Sequence, residues 1–407
     1  MNFGLNKIWH RWIILAVAVF SMLFAGIIYA WSILKVPFSE DFGWTASQLA
    51  LNFTLTMCFF CIGGLVGSFL SKKIGVKLST LISALLAGGG MFLTSFINGN
   101  SVILLYLTYA TLAGLGIGIA YNVVISTVSA WFPDKKGLCS GALMMGFGAS
   151  SLILGNLADS LFKSDLNWQG TYRVIGIALF VVLGFVALIL KRPDANIVFP
   201  QASKGLKKHS ESFETKDFTT LQMLRRFTFW RAFALIAFAT AVGNSVISFA
   251  RDLAVSVNAD LDLATSLVGV LAICNGLGRI ITGTMFDMLG RKRTMLIATL
   301  LTIVAAGITL ISVILGNLPL CIVGLCLTGI SYGTCPPMVV AFTSAFYGQK
   351  HFASNFAIMN CNLICASFIA TACSKLLESF GGYTAPFILL LVLAAAALLL
   401  NLSIKKP

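Results

Sequence analysis

The chain has 407 residues, of which 58% are hydrophobic and only 10% are charged, and its mean hydropathy is +0.93. A soluble domain carries about 25% charged residues because its surface must meet water, so this composition excludes an ordinary soluble protein. The formal net charge of +14 does not indicate a nucleic-acid-binding protein, because no basic stripe with interleaved aromatic residues accompanies it. We expect the excess Lys and Arg in the cytoplasmic loops of a membrane protein.

Apolar runs long enough to cross a bilayer recur along the whole chain. Only helices and closed barrels satisfy their backbone groups in lipid, and the runs are continuous rather than alternating, so helices are predicted. The first run begins at Trp12, is long and has no small-residue cleavage site, which favours a span over a signal peptide. The twelve predicted spans cover residues 11–34, 46–70, 78–97, 102–131, 137–161, 171–190, 229–256, 263–286, 294–314, 318–345, 352–377 and 383–403.

Lys and Arg are distributed unevenly between the two ends of these spans. If the N-terminus lies inside, 22 of the 28 basic residues fall on the cytoplasmic side, five fall outside, and Arg279 lies within a span. This asymmetry predicts an even number of spans in a bacterial inner membrane, with both termini in the cytoplasm.

The longest polar stretch separates the sixth predicted span from the seventh. We predict an N-terminal six-helix bundle over 1–191, a cytoplasmic linker over 192–228 with a short helix near 221–226, and a C-terminal six-helix bundle over 229–407. Two marks support a duplication, because Gly75 and Gly290 lie 215 residues apart and so do Trp131 and Phe346. Such internal repeats are typical of secondary transporters, whose substrate site lies near the middle of the membrane.

Other classes of protein find little support in the sequence. Cys58 and Cys61 have a zinc-like spacing, but no second Cys/His pair follows in a loop, so we expect the cysteines to be small buried apolar residues. His10, His209 and His351 lie outside the predicted spans, which disfavours a membrane enzyme. No Walker sequence is present, so neither ATP nor another cofactor nor a metal is predicted. A membrane sensor usually carries a soluble signalling domain, and none is recognisable.

A pattern of Gly, Asp and basic residues occupies the turn between the eighth and ninth predicted spans. Its members are Gly283, Asp287, Gly290, Arg291, Lys292 and Arg293. This pattern resembles the loop signature of the major facilitator superfamily. The resemblance implies two six-helix bundles around a central cavity, with alternating access by rocking of the halves. It also implies that Asp287 caps a neighbouring helix and that Arg291 faces the cytoplasm. The first-half copy is degenerate, with Ser68 and Lys72 at the Gly and Asp positions.

Short motifs in both halves narrow the resemblance to one group. They are residues 26–32 with Gly43 and Trp44, Ala120 with Tyr121, residues 131–137, residues 275–279 and residues 331–333. Together they resemble the oxalate/formate antiporter and monocarboxylate transporter group of the superfamily, over essentially the whole chain. The resemblance implies that Tyr29, Tyr121 and Tyr332 line the cavity, although a tyrosine in a span often serves packing alone.

Arg279 is the leading candidate for a binding residue. A charge inside the membrane costs several kcal/mol and is retained where it faces a cavity and binds a partner. The planar guanidinium fits a carboxylate through two hydrogen bonds. A structural pair with Asp159 or Asp252, near the outer ends of their spans, is the alternative. In the resembling group, the arginine at this position is the ligand of the substrate carboxylate.

Asn275 lies four residues before Arg279 and therefore shares its helix face. It can orient the guanidinium or donate to a substrate, and an interhelical hydrogen bond is the alternative. The mammalian monocarboxylate carriers place an Asp at this position, which is thought to handle a proton. Asn275 does not titrate, so the coupling to protons stays open.

The eleventh span departs from the resembling group. An alignment on Asn355 places Leu363 where the oxalate carriers have a lysine. A dianion in a low-dielectric cavity requires two positive charges, so we predict a monoanion. Asn360 and Asn362 offer neutral groups that recognise a hydroxyl or keto oxygen, or else join helices. The predicted function is secondary transport of lactate, pyruvate or formate by a monomer, and oxalate/formate-type antiport is the alternative.

Overall fold

The computed structural model describes residues 3–193 and 217–404, and eleven continuous helices in these ranges are long and apolar enough to cross a membrane. Each predicted span overlaps one of these helices or part of one. The helices are α1 (Phe3–Ala25), α2 (Ala46–Lys73), α3 (Gly75–Thr94), α4 (Val102–Trp131), α5 (Lys136–Phe162), α6 (Asn167–Ile189), α7 (Phe227–Ser256), α8 and α9 (the two parts of Leu261–Leu315), α10 (Leu318–Tyr347), α11 (in two parts, Phe352–Asn360 and Asn362–Phe380) and α12 (Thr384–Ser403).

The longest helix, Leu261–Leu315, consists of two spans rather than one. Its 55 residues would extend ~80 Å, far beyond a hydrocarbon core about 30 Å thick. At Gly290 the backbone leaves the helical region, with φ 74° and ψ 173°, a conformation that essentially only glycine adopts. The break divides the helix into α8 (261–289) and α9 (291–315), which gives twelve spans in the described ranges and confirms the predicted all-α polytopic class.

Replacing Gly290 with Ala is expected to destabilise the protein by about 1–3 kcal/mol, because a Cβ is strained in this conformation. Gly307 on α9 is the matched control, since a Cβ there meets nothing within 4 Å. Gly307→Ala should be neutral or slightly stabilising, because alanine favours a helix over glycine. Thermal unfolding of the two variants in detergent micelles compares them, and equal midpoints would contradict the assignment of strain to Gly290.

Three spans contain irregular turns that the apolar pattern does not predict. α1 passes into a 3₁₀ turn over Gly26–Ala30, which two short helices follow. α4 contains a π-helical segment over Tyr106–Ala113. α11 breaks at Cys361, between Phe352–Asn360 and Asn362–Phe380. Irregular backbone in a membrane is tolerated where protein groups or a cavity surround it, and it often marks functional positions.

Aromatic side chains of the first half anchor the irregular end of the first span. The Trp31 indole donates to the Leu49 carbonyl oxygen at 3.0 Å, and its ring lies 4.6 Å from that of Tyr109 in the π-helical segment. The Tyr172 hydroxyl donates to the Leu34 carbonyl oxygen at 2.9 Å. The two hydrogen bonds tie the irregular end of the first span to the backbone of α2 and to the side chain of Tyr172 on α6.

The chain divides into two compact units. The first comprises Met1–Asp134 and Leu143–Gln201, and the second comprises Lys135–Ala142 and Ala202–Pro407. The first turns of α5 therefore belong to the second unit. The boundaries drawn from the sequence at 191 and 229 placed the whole of α5 in the first bundle. Most of the predicted linker, residues 194–216, lies outside the described residues.

The described end of the linker is tied to the turn between α10 and α11. One carboxylate oxygen of Asp217 accepts from the amides of Gln349 and Lys350 at 2.9 and 3.1 Å. The Asn355 side chain donates to the Phe218 carbonyl oxygen at 2.9 Å. The short helix that follows, Thr220–Leu224, overlaps the one expected near 221–226. This part of the linker thus belongs structurally to the second unit.

Candidate functional site

Arg279 lies on α8 of the second unit, and only 3% of its surface is exposed. Its Nε donates to the Oδ1 atom of Asn275 at 3.3 Å, one turn earlier on the same face. Asn275 is itself buried. The hydrogen bond restricts the rotation of the guanidinium group, so Asn275 orients the Arg279 side chain on this apolar helix.

The backbones of α8 and α10 touch beside Arg279. A Cβ on Gly333 of α10 would overlap the Asn275 carbonyl oxygen and lie 3.0 Å from the Arg279 amide nitrogen. Small residues permit this kind of close approach between membrane helices. The contact fixes Arg279 against the turn of α10 that carries Tyr332.

Replacing Gly333 with Ala is expected to separate the two helices and to lower both stability and uptake. The added methyl group requires a backbone shift that costs about 1–3 kcal/mol. Gly269 on α8 is the matched control, because a Cβ there meets nothing within 4 Å. The same shift displaces Arg279, so we expect transport by Gly333→Ala to fall on the order of tenfold, which corresponds to ~1.4 kcal/mol. Unchanged uptake in Gly333→Ala would contradict a fixed spacing of α8 and α10 as a requirement.

Tyr332 follows Ser331 on α10, and 6% of its surface is exposed. Its hydroxyl donates to the Oδ1 atom of Asn244 on α7 at 2.8 Å. The ring lies directly against the α7 backbone at Gly243, where a side chain would overlap it. The sequence analysis missed Asn244. It is one of several polar residues in an apolar span, and its spacing from the other candidate residues follows no recognisable motif.

The two asparagines of α11 differ in their surroundings. The Nδ2 atom of Asn362 donates to the Met359 carbonyl oxygen at 2.6 Å, and its Oδ1 accepts from Thr240 on α7 at 3.5 Å. These bonds stabilise the backbone at the break of α11 and join α11 to α7. Joining helices is the alternative given above for Asn362. Asn360 is buried at the last turn before the break, and Leu363 is half-buried after it.

Tyr29 and Tyr121 lie in the first unit and belong to one aromatic cluster. Their rings lie 5.4 and 5.0 Å from the ring of Phe147, which both contact. Tyr121 also lies 5.0 Å from Phe60. Tyr29 is part of the 3₁₀ turn of the first span, so an irregular backbone positions it. The structure thus brings these two predicted residues together within the first unit.

Asp287 caps the first turn of α5. Its two carboxylate oxygens accept from the amides of Gly137 and Leu138 at 2.9 and 2.8 Å, all within the second unit. The first amides of a helix lack intrahelical partners, and the start of a helix favours a nearby negative charge. The Asp287 carboxylate accepts hydrogen bonds from two of these amides and also supplies the negative charge. Gly283 lies against Gly137 without space for a side chain between them. The Arg291 guanidinium lies 4.4 Å above the Phe346 ring.

Of the two acids considered as partners of Arg279, Asp159 is half-buried and Asp252 is exposed. Asp159 binds Lys163 at 2.7 Å. Asp252 is exposed near the end of α7. Across residues 3–193 and 217–404, no group of three or more His, Cys, Asp and Glu side chains forms a candidate metal site.

The sequence model of the Major Facilitator Superfamily matches residues 12–250 and again residues 232–407. The chain belongs to the major facilitator superfamily. It is therefore a multi-pass membrane transporter, and its relatives are transporters rather than enzymes.

Three named relatives span most of the chain. It is 26% identical over 350 residues to the uncharacterised MFS-type transporter YhjX of Escherichia coli K12, covering 86% of this chain and 84% of that protein. It is 28% identical over 292 residues to the oxalate:formate antiporter of Oxalobacter formigenes, covering 70% of this chain and 66% of that protein. It is 25% identical over 374 residues to human monocarboxylate transporter 12, covering 86% of this chain and 71% of that protein.

Solved structures of the superfamily share the fold. The MFS transporter FucP in its outward conformation matches with a TM-score of 0.72 at 14% identity, over 98% of this chain and 100% of that one. The proton:xylose symporter XylE matches with a TM-score of 0.75 at 15% identity, over 99% of this chain and 97% of that one. At this identity the likeness concerns the fold alone.

Proposed function

We propose that this protein is a secondary transporter of a small monocarboxylate anion, such as lactate, pyruvate or formate, and that it works by alternating access. The observation that carries the proposal is the buried guanidinium of Arg279, which Asn275 orients within an apolar span. Keeping such a charge in the membrane costs several kcal/mol, which a transported anion offsets when it binds. The fork of an arginine matches the two oxygens of a carboxylate.

The charge of the candidate site supports a monoanion. One guanidinium balances one carboxylate, and Leu363 adds no charge where oxalate carriers of the group have a lysine. Tyr332 and Asn360 offer neutral polar groups from the second unit, and for the first unit we propose separately that Tyr29 and Tyr121 bind substrate. The hydroxyl and amide groups of these four residues recognise polar atoms without adding a second cation.

The end of each unit that carries the basic turns is proposed to face the cytoplasm of a bacterial inner membrane, with both termini there. Gly283, Asp287, Gly290 and Arg291 form the structural motif at that end, and we propose that they take part in the conformational switch. Asn275 carries no titratable proton, so a coupled proton would travel on the substrate or along another path. The proposed unit of transport is a monomer.

Uptake by the purified protein in proteoliposomes tests the proposal. Labelled lactate, formate and oxalate are offered with and without an inward proton gradient, and with and without carboxylate inside. We expect lactate or formate to enter faster under the gradient, and oxalate to be excluded. Protein-free liposomes give the background, and uptake of none of the three above it would contradict the proposal.

Oxalate/formate-type antiport is the second candidate, and the named antiporter relative supports it. In that case uptake requires carboxylate inside the vesicle and includes oxalate. This result would place a dianion at Arg279 without the second cation, and the inference drawn from Leu363 would be wrong.

A further inference from the structure

The start of α7 and the short helix before it, Thr220–Leu224, present large apolar side chains at the surface. Leu221, Phe227 and Trp230 are each more than half exposed. Phe227 and Trp230 lie three residues apart and therefore share one face of α7. The Trp230 indole donates to the Leu224 carbonyl oxygen at 2.9 Å, which joins this face to the end of the short helix. An exposed tryptophan at the end of a span is typical of the boundary between lipid headgroups and hydrocarbon.

Three arginines accompany these apolar side chains. Arg225 and Arg226 connect the short helix to α7, and Arg231 lies on the first turns of α7. All three residues are exposed. The chain has no Asp or Glu between Asp217 and Asp252, so the three positive charges are not offset within this segment. The start of α7 therefore combines an apolar surface with an excess of positive charge.

Two of the arginines are held in place by contacts with the protein. The Arg226 guanidinium lies 5.4 Å above the Phe218 ring, which is a contact of the cation with an aromatic face rather than a hydrogen bond. The Nη1 atom of Arg231 donates to the Ser403 carbonyl oxygen at 2.9 Å, at the end of α12. A guanidinium has five N–H donors, and this bond uses one of them. Both side chains are thus positioned and still exposed.

We propose that this region, which we call the basic end of α7, binds the headgroup of an anionic phospholipid. The exposed aromatic side chains contact the lipid where its acyl chains begin. The planar guanidinium groups match the phosphate oxygens of the headgroup through paired hydrogen bonds. A zwitterionic lipid has the same acyl chains but no net negative charge, so the arginines favour the anionic lipid. The described end of the linker is thereby attached to the membrane surface as well as to the turn between α10 and α11.

Native mass spectrometry of the purified protein, with lipid added in detergent, tests the proposal. We expect phosphatidylglycerol to bind at least about tenfold more tightly than phosphatidylcholine, because each basic residue near an anionic lipid contributes about a factor of five. Arg225→Gln, Arg226→Gln and Arg231→Gln should each weaken the binding of phosphatidylglycerol about fivefold. The triple variant should weaken it on the order of 100-fold and leave phosphatidylcholine binding nearly unchanged.

Two further variants separate the charge of this region from other effects. Arg231→Lys keeps the positive charge and should retain the preference, whereas a role confined to the hydrogen bond with Ser403 predicts no such rescue. Lys163→Gln is the matched control, because it removes a positive charge that is 74% exposed and lies outside the basic end of α7. It should leave the binding of both lipids unchanged.

Three results overturn the proposal. They are equal binding of the two lipids by the native protein, displacement of phosphatidylglycerol by an equal concentration of inorganic phosphate, and an unchanged preference in the arginine variants. The single variants decide the last point if the triple variant does not fold. Lipid binding is measured without transport, so a negative result here leaves the monocarboxylate proposal standing.

Discussion

Replacing Arg279 with Gln is expected to reduce monocarboxylate uptake by at least about 100-fold while the protein remains folded. The substitution removes the positive charge and the fork of donors but keeps a polar side chain of moderate length. Hydrogen bonds to charged groups are worth about 1.5–3 kcal/mol each, and two of them would be lost. Because ~1.4 kcal/mol corresponds to a factor of ten, the loss exceeds two orders of magnitude. Initial uptake rates of labelled lactate in proteoliposomes measure it.

Two further variants separate the geometry of the side chain from its charge. Arg279→Lys keeps the positive charge but loses the planar fork, so an intermediate activity is expected. Arg293→Gln removes an exposed charge from the start of α9 and serves as the control, for which near-native uptake is expected. Native rates in Arg279→Gln for every carboxylate tested would show that the buried guanidinium serves the fold and not the substrate.

The all-helical fold could be predicted because composition and hydropathy act over long windows. A run of about 20 apolar residues has few alternatives to a membrane span, and the polar stretch after the sixth span is equally distinct. Gly290 and the basic residues after it marked the turn that divides Leu261–Leu315, although the helical backbone is nearly continuous there. Local signals of this strength needed no knowledge of tertiary contacts.

The candidate site could be predicted only in part, because contacts of its residues join distant segments of the chain. Arg279 and Asn275 were recognisable from one helix face, and the structure pairs them directly. Asn244 was not recognisable, because its significance depends on Tyr332, 88 residues later in the chain. The turn of Tyr29 and the break of α11 depend on packing in the same way, since the apolar pattern continues through both.

A buried ion pair in the first unit shows the same limit. The Arg11 guanidinium binds both carboxylate oxygens of Asp134, at 2.7 and 3.1 Å, although the residues are 123 positions apart. The side chains are only 5% and 7% exposed. The guanidinium also lies 4.7 Å above the Phe132 ring. The pair therefore joins the start of the first span to the turn between α4 and α5.

Replacing Asp134 with Asn is expected to destabilise the protein by about 3–5 kcal/mol, because Arg11 would remain buried without a compensating charge. The double variant Arg11→Met with Asp134→Leu should recover most of this loss, since apolar side chains avoid the desolvation of both charges. Asp159→Asn is the matched control, because its partner Lys163 is 74% exposed and Asp159 itself 49%. Such an exposed pair contributes about 0–1 kcal/mol.

Thermal unfolding in detergent micelles distinguishes these variants. For a unit of roughly 200 residues, 1 kcal/mol shifts the midpoint by about 2–4 °C, so Asp134→Asn should lower it by on the order of 10 °C. Asp159→Asn should shift it by less than about 4 °C. If the double variant were as unstable as Asp134→Asn, the loss would come from the shape of the cluster around Phe132 and not from an uncompensated charge. A recovery would assign the instability to the buried guanidinium, and would show that this pair holds the first span in place through charge neutralisation.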